Sequence, residues 1–144
     1  MSQQPLYKPT DPVQILDDSH FFYSNGKAQL KNDKFKGPGA IKAYASWCPH
    51  CKNKINCIKE LGELFHNEGL CMYVIDADVN HHFALNQNVQ GFPTFYSVNK
   101  KGVVDGTLKL NGNDVHTVPD IVKSLCNDYT GICGVDKKLS GSCN

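Results

Sequence analysis

The periodicity of this chain changes at residue 48. Upstream, after the punctuation Gly37-Pro38-Gly39, the run AIKAYAS at 40–46 is small and apolar, as a strand buried inside a sheet is. Downstream, from Pro49 to about Phe65, apolar residues recur at helical spacing, with Cys51, Ile55, Ile58, Leu61, Leu64 and Phe65 on one wide face. Pro49 suits a first helical turn, where no backbone donor is needed. A strand therefore runs into a helix N-terminus at Cys48, and the pair Cys48-x-x-Cys51 straddles the junction. Taken alone, such a pair is compatible with a metal knuckle, a structural disulfide or a redox centre.

The remaining segments predict a sheet around that junction. Residues 1–12 carry Pro5, Pro9 and Pro12 and little apolar surface, which predicts an irregular arm. VQIL at 13–16 reads as a first strand, followed by a brief helix at Ser19 to Asn25 or Lys27 to Asn32. Leu70 to Ile75 is a clear strand and Val79 to Val89 a short helix. FPTFYSV at 92–98 is a strand entered through a proline, NKKG a turn, and Val103 to Leu110 its hairpin partner. Val118 to Tyr129 closes the fold as an amphipathic helix. The order βαβα followed by ββα predicts an α/β domain over 13–129, three layers around a central mixed β-sheet flanked by helices. The tail 130–144 holds glycines, Cys133 and Cys143 without periodicity and is expected to be flexible.

Bulk properties narrow the function. At 144 residues the chain can bury a core without disulfides. Its net charge is +1, with both signs interleaved, and all 15 basic residues are lysine. Without guanidinium forks or a broad basic face, no nucleic-acid partner is expected. No run approaches the roughly 18 apolar residues of a membrane span, and the first twenty residues contain no apolar stretch of signal-peptide length. No membrane partner is expected, and no signal peptide. Seven cysteines is an odd number, so at least one is free or bonds another chain.

The junction also dictates a chemistry. Cys48 in the first turn of a helix faces unpaired backbone N–H groups and the positive end of the macrodipole, which favour thiolate over thiol. His50 can add a donor or a positive charge. Cys51, one turn inward, is placed as a resolving thiol for a mixed disulfide formed at Cys48. A structural zinc site needs four ligands. The available partners, Cys133 and Cys143 or His81 and His82, do not repeat the tight spacing. Cys57 and Cys71 read as small core residues. Cys126, Cys133 and Cys143 are open to a tail disulfide, a relay to Cys48 and Cys51, an intermolecular link, or no bond at all.

With WCPHCK at 47–52 and GFPTF at 91–95, the chain resembles the thioredoxin superfamily, whose members carry W-C-x-x-C-K and a cis-proline segment. The separation from Cys51 to Pro93 is similar to that of a thioredoxin domain without an inserted helical subdomain. The resemblance implies a thiol-disulfide oxidoreductase with Cys48 and Cys51 catalytic. Trp47, Pro49 and His50 support them. Pro93 is cis, Phe92 contacts substrate, Thr94 supports the loop, and Gly112 borders the same groove. No cofactor is implied, because the cysteines carry the electrons. The implied partners are protein thiol or disulfide substrates and a redox partner, with oligomeric state left open.

Two features depart from the common pattern. The dipeptide Pro49-His50 is similar to that of bacterial periplasmic thiol oxidases, which implies a pair more oxidising than thioredoxin. A virus-encoded protein working in the cytoplasm or carried in a virion reconciles this with the expected lack of a signal peptide. Where family members have a buried Asp or Glu, six positions before the first cysteine, this chain has Lys42. A charged Lys42 favours thiolate, a desolvated one can act as a base, and a third arrangement lets the amine reach water. The competing function is a non-catalytic interaction or structural module on the same fold.

Overall fold

The computed structural model of the chain describes residues 5–110, 113–114 and 117–143. In chain order its elements are β1 (Gln14–Leu16), β2 (Phe21–Ser24), β3 (Lys27–Leu30), β4 (Gly39–Tyr44), α1 (Pro49–Lys52), α2 (Ile55–Asn67), β5 (Cys71–Asp76), α3 (His81–Asn86), β6 (Thr94–Val98), β7 (Val104–Thr107), β8 (Lys109–Leu110), β9 (Asn113–Asp114) and α4 (Val118–Cys126). Five strands form one mixed sheet in the order β1-β5-β4-β6-β7. β4 is central, parallel to β5 and antiparallel to β6, and Lys42 stands opposite Val74 and Phe95.

Every residue of β4 is buried. Alternation along the strand then separates two cores. Ala40 and Tyr44 join Met72, Val74 and Phe95 beneath α2 and α4, which contribute Ile58, Leu61, Phe65, Ile121 and Leu125. Ile41 and Ala43 join Tyr73, Ile75, Tyr96 and Val98 on the other face, covered by Phe21, Ala28 and Leu30 of the β2–β3 ribbon and by Phe83 of α3. The architecture is the three-layer α/β arrangement expected, with a β-ribbon replacing a helix in one outer layer.

That ribbon corrects the expected helix between residues 19 and 32. Phe21 pairs with Leu30 and Tyr23 with Ala28, so the apolar residues alternate with period two. The turn is Asn25-Gly26, both at positive φ (27° and 78°), a conformation these two residue types adopt most readily and one that matches strand twist. The long helix after Cys48 is also divided. Helical bonding breaks at Asn53 and Lys54, where the Lys54 N–H reaches the Cys51 carbonyl at 3.4 Å before α2 begins.

The tail expected to be flexible is packed instead. Its three short 3-10 turns place Ile132, Val135, Leu139 and Cys143 in the core beneath α2 and α4. Cys57, expected as a plain core residue, is bonded to Cys143, and Cys126 is bonded to Cys133. Glu60 of α2 accepts the Ser140 N–H at 2.9 Å. Isolated apolar residues without period each fill a separate gap, and the covalent links supply what periodicity does not. Residues 5–12 are irregular but anchored, because Tyr7 is buried in the same core. Gly112 lies outside the described residues.

Candidate active site

The β4–α1 connection brings Cys48 to the N-cap of α1, with extended backbone (φ −77°, ψ 120°) and Pro49 at the first helical position. Both Cys48 and Cys51 are free thiols. Cys48 is 4% exposed and Cys51 fully buried, so the first is the sulfur nearer solvent. Across the gap, the Cys48 thiol points at the Phe92 carbonyl, 3.5 Å away. The Phe92–Pro93 peptide bond is cis. Thr94 Oγ1 donates to the Gly91 carbonyl at 2.7 Å and ties the loop together.

An open cleft of about 740 Å³ runs beside this pair. His50, Asn53 and Lys54 line one wall, and the segment from Gln90 to Tyr96 lines the other. Trp47 is half exposed at the rim. Its ring meets that of Phe92 edge-on at 5.8 Å, and its indole N–H donates to the Asp78 carboxylate at 3.0 Å. Pro49 and His50 are exposed. The fold thus brings together Trp47, Cys48, Pro49, His50, Cys51, Phe92, Pro93 and Thr94 from two loops far apart in sequence.

Lys42 completes the inner side. It is fully buried, and its amine donates to the Tyr7 hydroxyl at 2.7 Å and to the Cys51 carbonyl at 2.9 Å. The expected alternative in which the amine reaches water does not occur. Burial brings the Lys42 ammonium down to about 8, against the opposing attraction of the Cys51 and Cys48 sulfurs. Burial also pushes the Cys51 thiol up to about 12, and the neighbouring Cys48 sulfur adds to that rise. Tyr7 is held well above the ordinary phenol value, first by burial.

Two contributors were not legible in the motif. Tyr7 sits among prolines, where only its aromatic ring hinted at burial, and Asp78 ends a strand as many turn residues do. Cys133 and Cys143, the tail thiols available to complete a zinc site, are committed to Cys126 and Cys57. His81 and His82 are exposed at the start of α3, and the His82 ring stacks on Tyr23 at 3.7 Å.

Comparison with known proteins agrees with this fold. A sequence model of the family described as Thioredoxin matches residues 22–124. The chain is 45% identical over 56 residues to a protein disulfide-isomerase of Schizosaccharomyces pombe, a stretch covering 38% of this chain and 15% of that protein. It is 36% identical over 67 residues to protein disulfide-isomerase tigA of Aspergillus niger, covering 45% of this chain and 18% of the other. Each match spans less than a fifth of the relative's length. Among solved structures, spinach chloroplast thioredoxin f superposes with a TM-score of 0.55 at 15% identity, covering 85% of this chain and 87% of that one. Malassezia sympodialis thioredoxin superposes with a TM-score of 0.53 at 18% identity, covering 86% and 96%. At those identities the likeness is one of fold. With the family match spanning most of the domain, this chain belongs to the thioredoxin family.

Proposed function

We propose that this protein exchanges a Cys48–Cys51 disulfide or dithiol with protein substrates, and that its pair is more oxidising than that of thioredoxin. The observation that carries this reading is the Cys48 thiol 3.5 Å from the carbonyl of Phe92, a residue of the cleft wall, with free Cys51 buried one turn behind it.

In the reducing direction, the Cys48 thiolate attacks one sulfur of a substrate disulfide. A Cys48–substrate bond forms, the substrate S–S bond breaks, and the departing thiolate takes a proton from solvent. Cys51 then attacks Cys48, releasing the second substrate thiol and leaving the Cys48–Cys51 disulfide. Run backwards, the same two steps oxidise a substrate dithiol. Phe92 and Pro93 supply the backbone along which the substrate segment lies, and Thr94 holds that loop. Trp47, Pro49 and His50 shape the entrance.

The oxidising direction is supported by the Pro49-His50 dipeptide and by the two further disulfides, which persist in oxidising surroundings. The compartment proposed is accordingly an oxidising one such as a virion.

Equilibration in glutathione buffers, followed through Trp47 fluorescence, tests the reading. A transition at about −120 to −180 mV is the expected result. One near about −270 mV overturns the oxidising assignment. No reversible two-electron transition overturns exchange and leaves an interaction module. In parallel, Cys51→Ser accumulates mixed disulfides at Cys48, and Cys48→Ser loses exchange.

A further inference from the structure

Lys42 occupies an unusual position for an amine. It is fully buried, and among the described residues the ion pairs formed are His20–Asp17 and Lys59–Asp11, neither of which includes it. Its register neighbours, Val74 on β5 and Phe95 on β6, are apolar, and α2 presents Ile58 and Leu61 to the same layer. The titratable groups around it are Tyr7 from the arm, Tyr44 on the same face of β4, and the thiols of Cys48 and Cys51. Asp11, the arm's carboxylate, is turned to Lys59 at 3.2 Å and to the Lys8 N–H at 2.7 Å.

A permanent cation without a counter-charge is costly in such a layer, so the surroundings favour a neutral amine. Cys51 has the complementary problem. Its thiol must lose a proton to attack, yet it is fully buried, and water is not at hand to receive one. The amine is tied to the Cys51 backbone at 2.9 Å and fixed from the other side by the Tyr7 hydroxyl at 2.7 Å, with the Tyr7 ring centroid 5.2 Å from Nζ.

We propose that Lys42, seated by Tyr7, accepts the Cys51 proton while Cys51 resolves the mixed disulfide at Cys48. This deepens the exchange reading and rests on it. The Cys51 S–H proton moves to Lys42 Nζ, and the sulfur's electron pair forms the Cys48–Cys51 bond. The Cys48–substrate bond breaks and its pair leaves on the substrate sulfur, which is then protonated by the Lys42 ammonium or by solvent. No outside oxidant or reductant enters. Once Cys48 is held in the mixed disulfide it no longer bears a charge that opposes Cys51 ionisation, so the transfer is easiest at the step that requires it. Lys42 contacts the reacting residue, whereas Tyr7 acts through Lys42 as a positioning residue.

The test uses the full chain and a peptide disulfide carrying a fluorophore and a quencher, read by stopped flow. Attack by Cys48 appears as a phase that depends on peptide concentration, and resolution by Cys51 as one that does not. In the wild-type protein the resolution phase should quicken as pH rises through about 8, as the amine loses its proton. Lys42→Met should slow it about 100-fold or more at neutral pH and approach wild type only where Cys51 ionises unaided. Lys42→Arg, which keeps a charge but takes up no proton, should be as slow. Tyr7→Phe, which removes one acceptor oxygen, should slow the phase and move its midpoint to lower pH. Resolution unchanged in Lys42→Met, or wild-type speed in Lys42→Arg, overturns the base assignment. An unchanged rate and midpoint in Tyr7→Phe overturns the seating role even where the lysine variants do not fold. Absence of the concentration-dependent phase in the wild type overturns the exchange reading and this proposal with it, whereas its presence beside unaltered resolution overturns this proposal alone.

Discussion

Cys57 on α2 is bonded to Cys143, 86 residues further along the chain, with their Cα atoms 5.4 Å apart. The helix that follows Cys51 is thereby stapled to the C-terminal segment, and Glu60, one turn on, holds Ser140 by its N–H at 2.9 Å.

Closing so long a loop restricts the unfolded chain more than the folded one. Cys57→Ser should therefore lower the unfolding free energy by about 2–5 kcal/mol. Urea unfolding of the oxidised variant against oxidised wild type measures it, and equal midpoints would show that the tail is held by packing alone. Because Cys57 is outside the exchanging pair, the variant should still form a mixed disulfide at Cys48.

Lys42 makes stability depend on pH in a defined window. Its ammonium titrates near 10.5 when exposed in the unfolded chain and at about 8 when folded. Between those values the unfolded chain binds more protons, so stability rises with pH, and below pH 8 the full cost of burying the amine is present. Relative to Lys42→Met, the wild-type protein should gain about 3 kcal/mol from pH 8 to 10.5. Comparing both proteins with Cys48 and Cys51 oxidised removes the two thiols that sense the amine, and the difference then cancels the titrations remote from residue 42. A flat difference across that range would mean that the amine is not desolvated.

Gly62 sets how closely the N-terminal arm lies on α2. A Cβ at this buried position collides with the Pro12 carbonyl oxygen, a backbone atom that cannot swing aside as a side chain can. Gly62→Ala should cost about 1–3 kcal/mol and lift the arm. Chymotrypsin cleavage after Tyr7, buried while the arm is seated, should become faster, and resolution should change in the direction given for Tyr7→Phe. Unaltered unfolding and cleavage would show that the arm accommodates the methyl group by sliding.

How far the sequence was legible depended on whether a local period or a distant partner decided each element. The strand at 40–46, the helix turn at Pro49 and the strand at 71–75 follow from runs whose spacing needs no partner to interpret. The β2–β3 ribbon was misread because Phe21, Tyr23, Ala28 and Leu30 fit a short helix about as well as two strands, and only pairing across Asn25-Gly26 separates them. The start of α3 was similarly hidden. Its free N–H groups at His82 and Phe83 are capped at 3.1 and 2.9 Å by the carboxylate of Asp18, on another part of the chain.

Sequence alone determined that a reactive pair stands where a strand becomes a helix, because strand alternation, helical spacing and a proline at the first turn are local properties of residues 40–65. It also placed the Phe-Pro-Thr loop as the partner of that pair through family resemblance. Only the tertiary structure decided what surrounds the pair on its inner side. Tyr7 reaches Lys42, and Cys143 reaches Cys57, through contacts between segments 35 and 86 residues apart, which no local period encodes. The burial that sets the Lys42 and Cys51 protonation states is likewise a property of the assembled layers, because desolvation depends on every element packed around an ionisable group.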